Sequence, residues 1–234
     1  MNDPLLIFFV AFLAAIILVL SFVIIMIFIS LSRSTKLKAR QYLRYSDYVV
    51  KNSIVFLGDS LTEFFPIEEF FHSFNPYNRG IASDNTAGVL ERLETNVINI
   101  EPQKVFLQIG TNDLVGAKRR KKEDIIKNIQ EILRRLREGL PKCELYFISL
   151  YPVNKKAHFL SIFFVNRRKN KDIMAINHEI NTYCEKNNIT YIDVYNHLTD
   201  DDGNLKKEYT VEGLHINYEG YRLISRLLLP YLES

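Results

Sequence analysis

The stretch Ile54-Val-Phe-Leu-Gly-Asp-Ser60 places four apolar residues directly before a glycine and two polar residues. A run without polar alternation is typical of a strand that is buried on both faces, as in a parallel sheet. In open parallel sheets, ligands bind at the edge formed by the carboxyl ends of the strands. We therefore expect a parallel sheet built around this stretch, with chemistry near Ser60.

Similar apolar runs alternate with helical patterns along the rest of the chain. The runs predict further strands over residues 76–78, 104–109, 144–150 and 189–194. Apolar stripes with the spacing of amphipathic helices lie within residues 89–97, 125–136, 173–183 and 221–231. This alternation predicts an α/β fold, a three-layer α/β/α sandwich with a mostly parallel five-stranded sheet.

Composition and charge limit the classes of function. The chain has 234 residues, 47% hydrophobic and 24% charged, which suits one folded domain after the N-terminal segment is set aside. The net charge of +3, with both signs interspersed, argues against nucleic acid as a partner. Cys143 and Cys184 are not part of a CxxC or Cys/His cluster, so we predict no metal site, whereas a disulfide stays open.

The N-terminal segment has the composition of a membrane helix. Residues 5–31 carry no charge, and as a helix they would span roughly 40 Å at about 1.5 Å per residue. The chain begins Met-Asn-Asp-Pro and lacks the basic start and small-residue exit of a cleaved signal peptide. We predict a retained transmembrane helix over residues 1–32, which would hold the protein at a lipid bilayer.

The flanks of this segment predict its orientation. No Lys or Arg precedes the segment. Five positive residues follow it within the next 13 positions, namely Arg33, Lys36, Lys38, Arg40 and Arg44. The positive-inside rule then predicts that the C-terminal domain lies on the cytoplasmic side of the cell membrane. A location on the extracytoplasmic side is the alternative. We predict a basic linker helix over residues 33–51, either solvated or held against anionic lipid, and one folded α/β domain over residues 52–234.

Polar residues stand at two predicted strand ends and before the last helix. Ser60 follows the first strand, Gly110-Thr-Asn-Asp113 follows the third, and Glu212-Gly-Leu-His215 precedes the final helix. Each alone has a structural explanation, as a helix cap, a turn and a capped helix start. Together they supply a nucleophile, an oxyanion donor, an orienting carboxylate and a base, which is the set that acyl transfer requires.

These segments also resemble the four sequence blocks of the SGNH, or GDSL, hydrolase family. The blocks are Gly58-Asp-Ser-Leu61, Asn78-Arg-Gly-Ile-Ala-Ser-Asp84, Gly110-Thr-Asn-Asp113 and Glu212-Gly-Leu-His215. The resemblance covers about residues 52–232 and extends to bacterial proteins similar to platelet-activating-factor acetylhydrolase. It implies the flavodoxin-like SGNH fold and a serine ester hydrolase that needs no metal or organic cofactor.

The resemblance also implies a role for each site residue. Ser60 would be the nucleophile, His215 the base and Glu212 the orienting acid. The oxyanion donors would be the backbone N–H groups of Ser60 and Ser83 and the side-chain amide of Asn112. Supporting positions are Asp59, Gly110 and Asp113, of which Asp59 and Asp113 are interpreted as acceptors that hold loops.

Two positions depart from the family pattern. Ser83 stands where the family usually has glycine, and would be strained if the position requires a positive φ. Glu212 stands where the family usually has aspartate, with Asp193 as the alternative acid. A binding protein that kept the fold but lost catalytic power is therefore the alternative function. A flavodoxin-like cofactor binder is disfavoured, because no glycine-rich phosphate loop follows the first strand.

The loops suggest a substrate class without choosing one. Basic residues cluster at 118–122 and at Lys155, Lys156, Arg167, Arg168, Lys169 and Lys171. They are either a solvated surface or a rim that favours an anionic substrate or membrane. The apolar stretch 159–165 between them would pack on the core or contact lipid or an acyl chain, and the same holds for Phe64, Phe65, Phe70 and Phe71 after Ser60. Small-molecule or lipid esters and acetylated glycans are the candidate substrates, and the oligomeric state is not predicted.

Overall fold

The structure is a computed structural model that describes residues 4–115 and 119–234, with only the backbone described for residues 6, 24, 25 and 27–32. The strands are β1 Ile54–Gly58, β2 Tyr77–Gly80, β3 Lys104–Gln108, β4 Glu144–Ile148 and β5 Thr190–Ile192. The helices are α1 Pro4–Tyr45, α2 Ser60–Glu63, α3 Ile67–Phe70, α4 Thr86–Asn96, α5 Lys122–Gly139, α6 Ser161–Val165, α7 Asn170–Lys186, α8 Tyr195–Leu198 and α9 Tyr218–Glu233.

The five strands form one parallel sheet in the order β2-β1-β3-β4-β5. This confirms the predicted five-stranded sheet, although β2 runs on to Gly80, beyond the predicted end at residue 78. Gly58 at the end of β1 pairs with Gly80 on one side and with Gln108 on the other. The strand order reverses between β1 and β3, and such a switch point opens a crevice at the carboxyl edge.

Each face of the sheet is covered by helices, which gives three layers. On one face, side chains such as Leu57 and Leu107 pack with α4, α5 and α7. On the other, alternate residues such as Phe56 pack with α9 and the segment after α2. Because both faces of the central strands are buried, these strands read as continuous apolar runs in the sequence.

A row of stacked aromatic rings fixes the strands on the second face. Phe56 stacks on Phe71 at 5.8 Å and on Phe106 at 4.7 Å, and Phe106 stacks on Tyr146 at 4.4 Å between ring centroids. Phe56 is nearly fully buried and lies four residues before Ser60. Close packing of this kind holds the carboxyl end of β1 in one position.

Helix α1 runs without a break through the predicted membrane segment and most of the predicted basic linker. In the part of the chain that the structure describes, no helix is both long enough and apolar enough to cross a membrane. The predicted anchor falls partly on side chains outside that part and stays a prediction. The end of α1 packs on the domain, since Tyr42 is buried and Asn96 Nδ2 donates to the Ala39 carbonyl oxygen at 3.1 Å.

Candidate active site

Ser60 is the first residue of α2 and is separated from the end of β1 by Asp59 alone. The helix cap is Asp59, whose Oδ1 accepts a hydrogen bond from the Leu61 N–H at 2.9 Å. The Ser60 hydroxyl is therefore not the helix cap, so the structural role that the sequence suggested for Ser60 belongs to Asp59. The preceding glycine is required by space, because a Cβ at Gly58 would lie 2.4 Å from the Gln108 carbonyl oxygen.

Ser60, His215 and Glu212 form a continuous relay of polar contacts. Ser60 Oγ lies 3.2 Å from His215 Nε2, and His215 Nδ1 lies 2.5 Å from Glu212 Oε1. Ser60 and Glu212 are buried, whereas the His215 side chain is 23% exposed. An imidazole in this position can accept the serine proton, and the carboxylate fixes the ring and stabilises its charged form.

A tight turn brings Glu212 back to His215. Thr210 Oγ1 accepts from the Gly213 N–H at 2.8 Å and donates to the His215 carbonyl oxygen at 2.7 Å. The glycine has a φ of 92°, and a Cβ there would lie 2.0 Å from the Asn154 carbonyl oxygen. The interpretation of this segment as a helix start is wrong, because α9 begins only at Tyr218.

The alternative acid, Asp193, belongs to a local turn. Its Oδ1 accepts from the Asn196 N–H at 3.2 Å, and its Oδ2 accepts from Asn196 Nδ2 at 2.5 Å. The carboxylate that contacts His215 is Glu212. The extra methylene of glutamate relative to aspartate is accommodated by the turn.

The Asn112 side chain is held at both ends of its amide. Its Nδ2 donates to the Asp84 carbonyl oxygen at 2.9 Å, and its Oδ1 accepts from Arg168 Nη2 at 2.7 Å. An amide nitrogen carries two hydrogens, so one remains for a substrate oxygen. The bond to Asp84 also ties Asn112 to the segment that contains Ser83.

Arg168 is a site residue that the sequence pattern did not reveal. It was grouped with the basic loop charges, but it is only 5% exposed. Besides Asn112, it donates to the Thr111 carbonyl oxygen at 2.9 Å and to the Phe164 carbonyl oxygen at 2.8 Å. Burial lowers the pKa of its guanidinium to about 10, so it stays charged at neutral pH. A run of Lys and Arg looks the same in sequence whether its members are solvated or buried.

Ser83 lies in a segment, residues 80–84, that we call the oxyanion loop. Its φ is 66°, in the left-handed region where a side chain costs about 1 kcal/mol relative to glycine. Ser83 is therefore strained, as expected from the sequence if the position requires a positive φ. The loop begins at the end of β2, and the Ile81 N–H donates to the Gly58 carbonyl oxygen at 3.1 Å. Ser83 therefore keeps a backbone N–H at the same sheet edge as Ser60.

Asp59 and Asp113 both accept hydrogen bonds from backbone N–H groups near the site. Asp113 accepts from the Thr86 N–H at 2.9 Å and from Thr86 Oγ1 at 2.7 Å, which links the end of β3 to α4. Burial raises the pKa of Asp113, and raises the pKa of Asp59 to about 7. Gly110 has a φ of 133°, which the turn after β3 requires.

The rim of the site is apolar near His215. The rings of Phe64 and Phe164 lie 5.6 and 6.0 Å from the imidazole, measured between centroids.

The basic clusters predicted near the site include residues with structural contacts. Of the first cluster, Lys118 lies outside the described residues, and Arg120 forms an ion pair with buried Asp113 at 3.1 Å. Each basic cluster thus contains at least one residue in a structural contact, Arg120 in the first and Arg168 in the second.

Comparisons with known proteins agree with this geometry. Residues 56–223 match the model of the GDSL-like Lipase/Acylhydrolase family. The chain is 31% identical over 172 residues to the N-acylneuraminate cytidylyltransferase of Streptococcus agalactiae serotype V, covering 74% of this chain but only 37% of that relative. It is 26% identical to platelet-activating factor acetylhydrolase IB subunit alpha1 of Bos taurus, covering 75% of this chain and 72% of the relative.

Solved structures show the same fold. A Streptococcus pneumonia protein whose name refers to platelet activating factor superposes with a TM-score of 0.80 and 30% identity, covering 91% of this chain and 99% of that one. A GDSL-like lipase of Bacteroides thetaiotaomicron superposes with a TM-score of 0.73 and 23% identity, covering 83% and 97%. The resemblance first seen in four short segments is confirmed, and the chain belongs to the GDSL-like lipase and acylhydrolase family, a family of carboxylic ester hydrolases.

Proposed function

We propose that this chain hydrolyses carboxylic esters through an acyl-serine intermediate at Ser60, and that the acyl group of its substrates is apolar. The observation that carries the proposal is the relay from Ser60 through His215 to Glu212, with the rings of Phe64 and Phe164 beside the imidazole. The relay supplies the chemistry, and the rings supply a surface for the acyl chain.

The relay supports a two-step reaction. His215 Nε2 takes the proton of Ser60 Oγ as this oxygen attacks the ester carbon, and returns it to the alcohol oxygen as the carbon–oxygen bond breaks. Water then attacks the acyl-serine, with His215 again taking and returning one proton. The negative oxygen formed in each step would be stabilised by the backbone N–H groups of Ser60 and Ser83 and by Asn112 Nδ2.

The acyl group is assigned to an exposed apolar surface that we call the acyl patch. It consists of Phe64, Phe159, Ile162, Phe163 and Phe164, all of them exposed. Phe163 is 74% exposed, whereas Val165 of the same short helix is fully buried in the core. Ser161 and Val165 therefore hold the helix in the interior, and its exposed phenylalanines and Ile162 are left for a ligand, as contiguous exposed apolar residues often are.

Chain-length preference tests this assignment. We expect kcat/KM for p-nitrophenyl octanoate to exceed that for the acetate by roughly tenfold, since about two buried methylenes at about 0.8 kcal/mol each suffice. Replacement of Phe164 with alanine should remove most of this preference, and Val50→Ala, an exposed apolar residue in the loop before β1, should not. Preference for acetate, with release of acetate from an acetylated oligosaccharide, would contradict the apolar acyl group and favour acetylated glycans.

The proposal includes attachment to a bilayer through residues 5–31. This range carries no charge, and its described apolar side chains are exposed, Phe8 and Leu18 among them. We expect the full chain to stay with membranes after alkaline carbonate extraction, and its release would contradict the anchor. A topology reporter fused to the C-terminus should show a cytoplasmic location, as the positive residues after the segment predict. An extracytoplasmic reading would instead favour acetylated wall glycans.

Arg168→Met is expected to lower kcat about tenfold with a smaller effect on KM. Without the guanidinium, the Asn112 amide loses its only charged partner in the described part of the chain and is free to turn away from the oxyanion. Arg168→Lys should not restore activity, because an ammonium cannot make the same three divergent hydrogen bonds. Steady-state kinetics with p-nitrophenyl esters measures both variants. The matched control is Arg167→Met at the exposed neighbouring arginine, and an equal loss there would contradict the role of Arg168.

A further inference from the structure

One face of helix α1 contacts the oxyanion loop through three side chains. Thr35, Lys38 and Tyr42 are spaced by three and four residues, which places them on the same side of the helix. The Tyr42 hydroxyl donates to the Gly80 carbonyl oxygen at 2.9 Å, and Thr35 Oγ1 donates to the Ala82 carbonyl oxygen at 3.4 Å. Two carbonyl groups of the loop are therefore held from outside the part of the chain that matches the family model.

Glu63 links the same helix to the nucleophile. It is the last residue of α2, the short helix that begins at Ser60. One carboxylate oxygen of Glu63 forms a close ion pair with Lys38 Nζ, and the other accepts the N–H of Ala82, the residue before Ser83. A single partly buried carboxylate thus connects α1, the nucleophile helix and the oxyanion loop.

The oxyanion loop needs such support because of its backbone conformation. Ser83 is held at a φ of 66°, which a serine adopts only when its surroundings over-determine it. The adjacent Asp84 is held by α4, since its Oδ2 accepts from Arg92 Nε at 2.8 Å. The loop is therefore held by contacts to both α1 and α4.

We propose that the segment of α1 from Thr35 to Tyr42 is a brace for the oxyanion hole, with Lys38 and Tyr42 as positioning residues that keep the Ser83 N–H directed at the reacting oxygen. The inference rests on the proposed esterase function. Neither side chain touches the substrate. They act through Glu63 and the carbonyl of Gly80 on a donor that works only when correctly placed. The same helix would carry the membrane segment, so the tether and the active site are mechanically continuous.

Lys38→Met in the full chain tests the brace. We expect kcat for p-nitrophenyl butanoate to fall about tenfold with KM within about twofold, because the oxyanion donor serves the transition state more than the bound ester. Lys38→Arg should restore kcat to within about threefold of the wild type, since it keeps the positive charge beside Glu63. Binding of a boronic acid, which forms a tetrahedral adduct with the nucleophilic serine, should weaken in parallel with kcat.

Two further variants make the test specific. Arg44→Met removes the same charge from an exposed position of the same helix and should leave kcat unchanged. Tyr42→Phe keeps the buried ring, loses only the hydroxyl that donates to Gly80, and should lower kcat severalfold with little change in melting temperature. It also serves if Lys38→Met fails to fold.

The brace is overturned if Lys38→Met or Tyr42→Phe hydrolyses the ester with the kcat of the wild type, or if Arg44→Met loses as much as Lys38→Met. Equal losses in kcat for Lys38→Arg and Lys38→Met would also overturn it. A wild type that neither hydrolyses esters nor reacts with a fluorophosphonate would instead contradict the proposed function itself.

Discussion

Replacement of Ser60 with alanine is expected to lower kcat/KM for p-nitrophenyl esters by about 10⁴-fold or more. Alanine leaves the fold and the oxyanion donors in place but removes the only oxygen that lies 3.2 Å from His215 Nε2 among the described side chains. Loss of a nucleophile in a relay of this kind leaves only the small acceleration that binding and oxyanion stabilisation supply. Steady-state hydrolysis of p-nitrophenyl butanoate, with melting temperature as the folding check, measures the effect.

Covalent labelling makes the same prediction independent of the substrate. A fluorophosphonate should modify the wild type at Ser60 and should not modify the alanine variant. Ser73→Ala, at an exposed serine of the following segment, is the matched control and should label normally. An intact wild type without an adduct would favour the alternative of a binding protein that has lost catalytic power.

Glu212→Gln is expected to lower kcat by roughly 10³–10⁴-fold. The carboxylate accepts from His215 Nδ1 and so places the free electron pair on Nε2, facing Ser60. A glutamine amide can donate to Nδ1, which favours the tautomer with a hydrogen on Nε2, and it no longer stabilises the imidazolium ion. Single-turnover or steady-state kinetics reports the loss directly.

Two variants define the identity of the acid. Glu212→Asp should retain activity within about tenfold, because the family pattern has aspartate here and the shorter side chain loses reach but not charge. Asp193→Asn should retain full activity, since Asp193 bonds only Asn196 among the described residues. A large loss in Asp193→Asn together with an active Glu212→Gln would reverse the assignment.

Much of the fold follows from local patterns in the chain. Strands β1 and β3 lie close to their predicted bounds, because the centre of a strand buried on both faces reads as an uninterrupted apolar run, Ile54 to Leu57 in β1 and Val105 to Leu107 in β3. The stripe that predicted α5 is wholly buried, from Ile125 to Leu136. The short strand β2 was the least well defined, since its first residues, Tyr77 and Asn78, are only partly buried and carry little periodic signal.

The candidate site divides in the same way. Ser60, Asn112 and the pair Glu212 and His215 could be predicted because each stands at a strand end or in a short motif. The rule that parallel strands end at one edge brings Ser60 and Asn112 together. For Glu212 and His215, which stand at no strand end, the pairing with Ser60 was implied only by the family resemblance. Only the structure showed that Glu212, and not Asp193, contacts His215. Both are acidic residues in turns, and the local sequence of a turn does not determine its distance from His215.

The sequence by itself determined the parallel sheet and the position of Ser60 at the end of its first strand, because apolar runs and turn residues act over a few neighbouring positions. The tertiary structure alone decided that Arg168 is buried against Asn112, that Ser83 is held at positive φ, and that Lys38 reaches the oxyanion loop through Glu63. These features depend on contacts between segments 19 to 56 residues apart. Charge and residue type are the same for a solvated side chain and a buried one, and only the packing of distant segments distinguishes them.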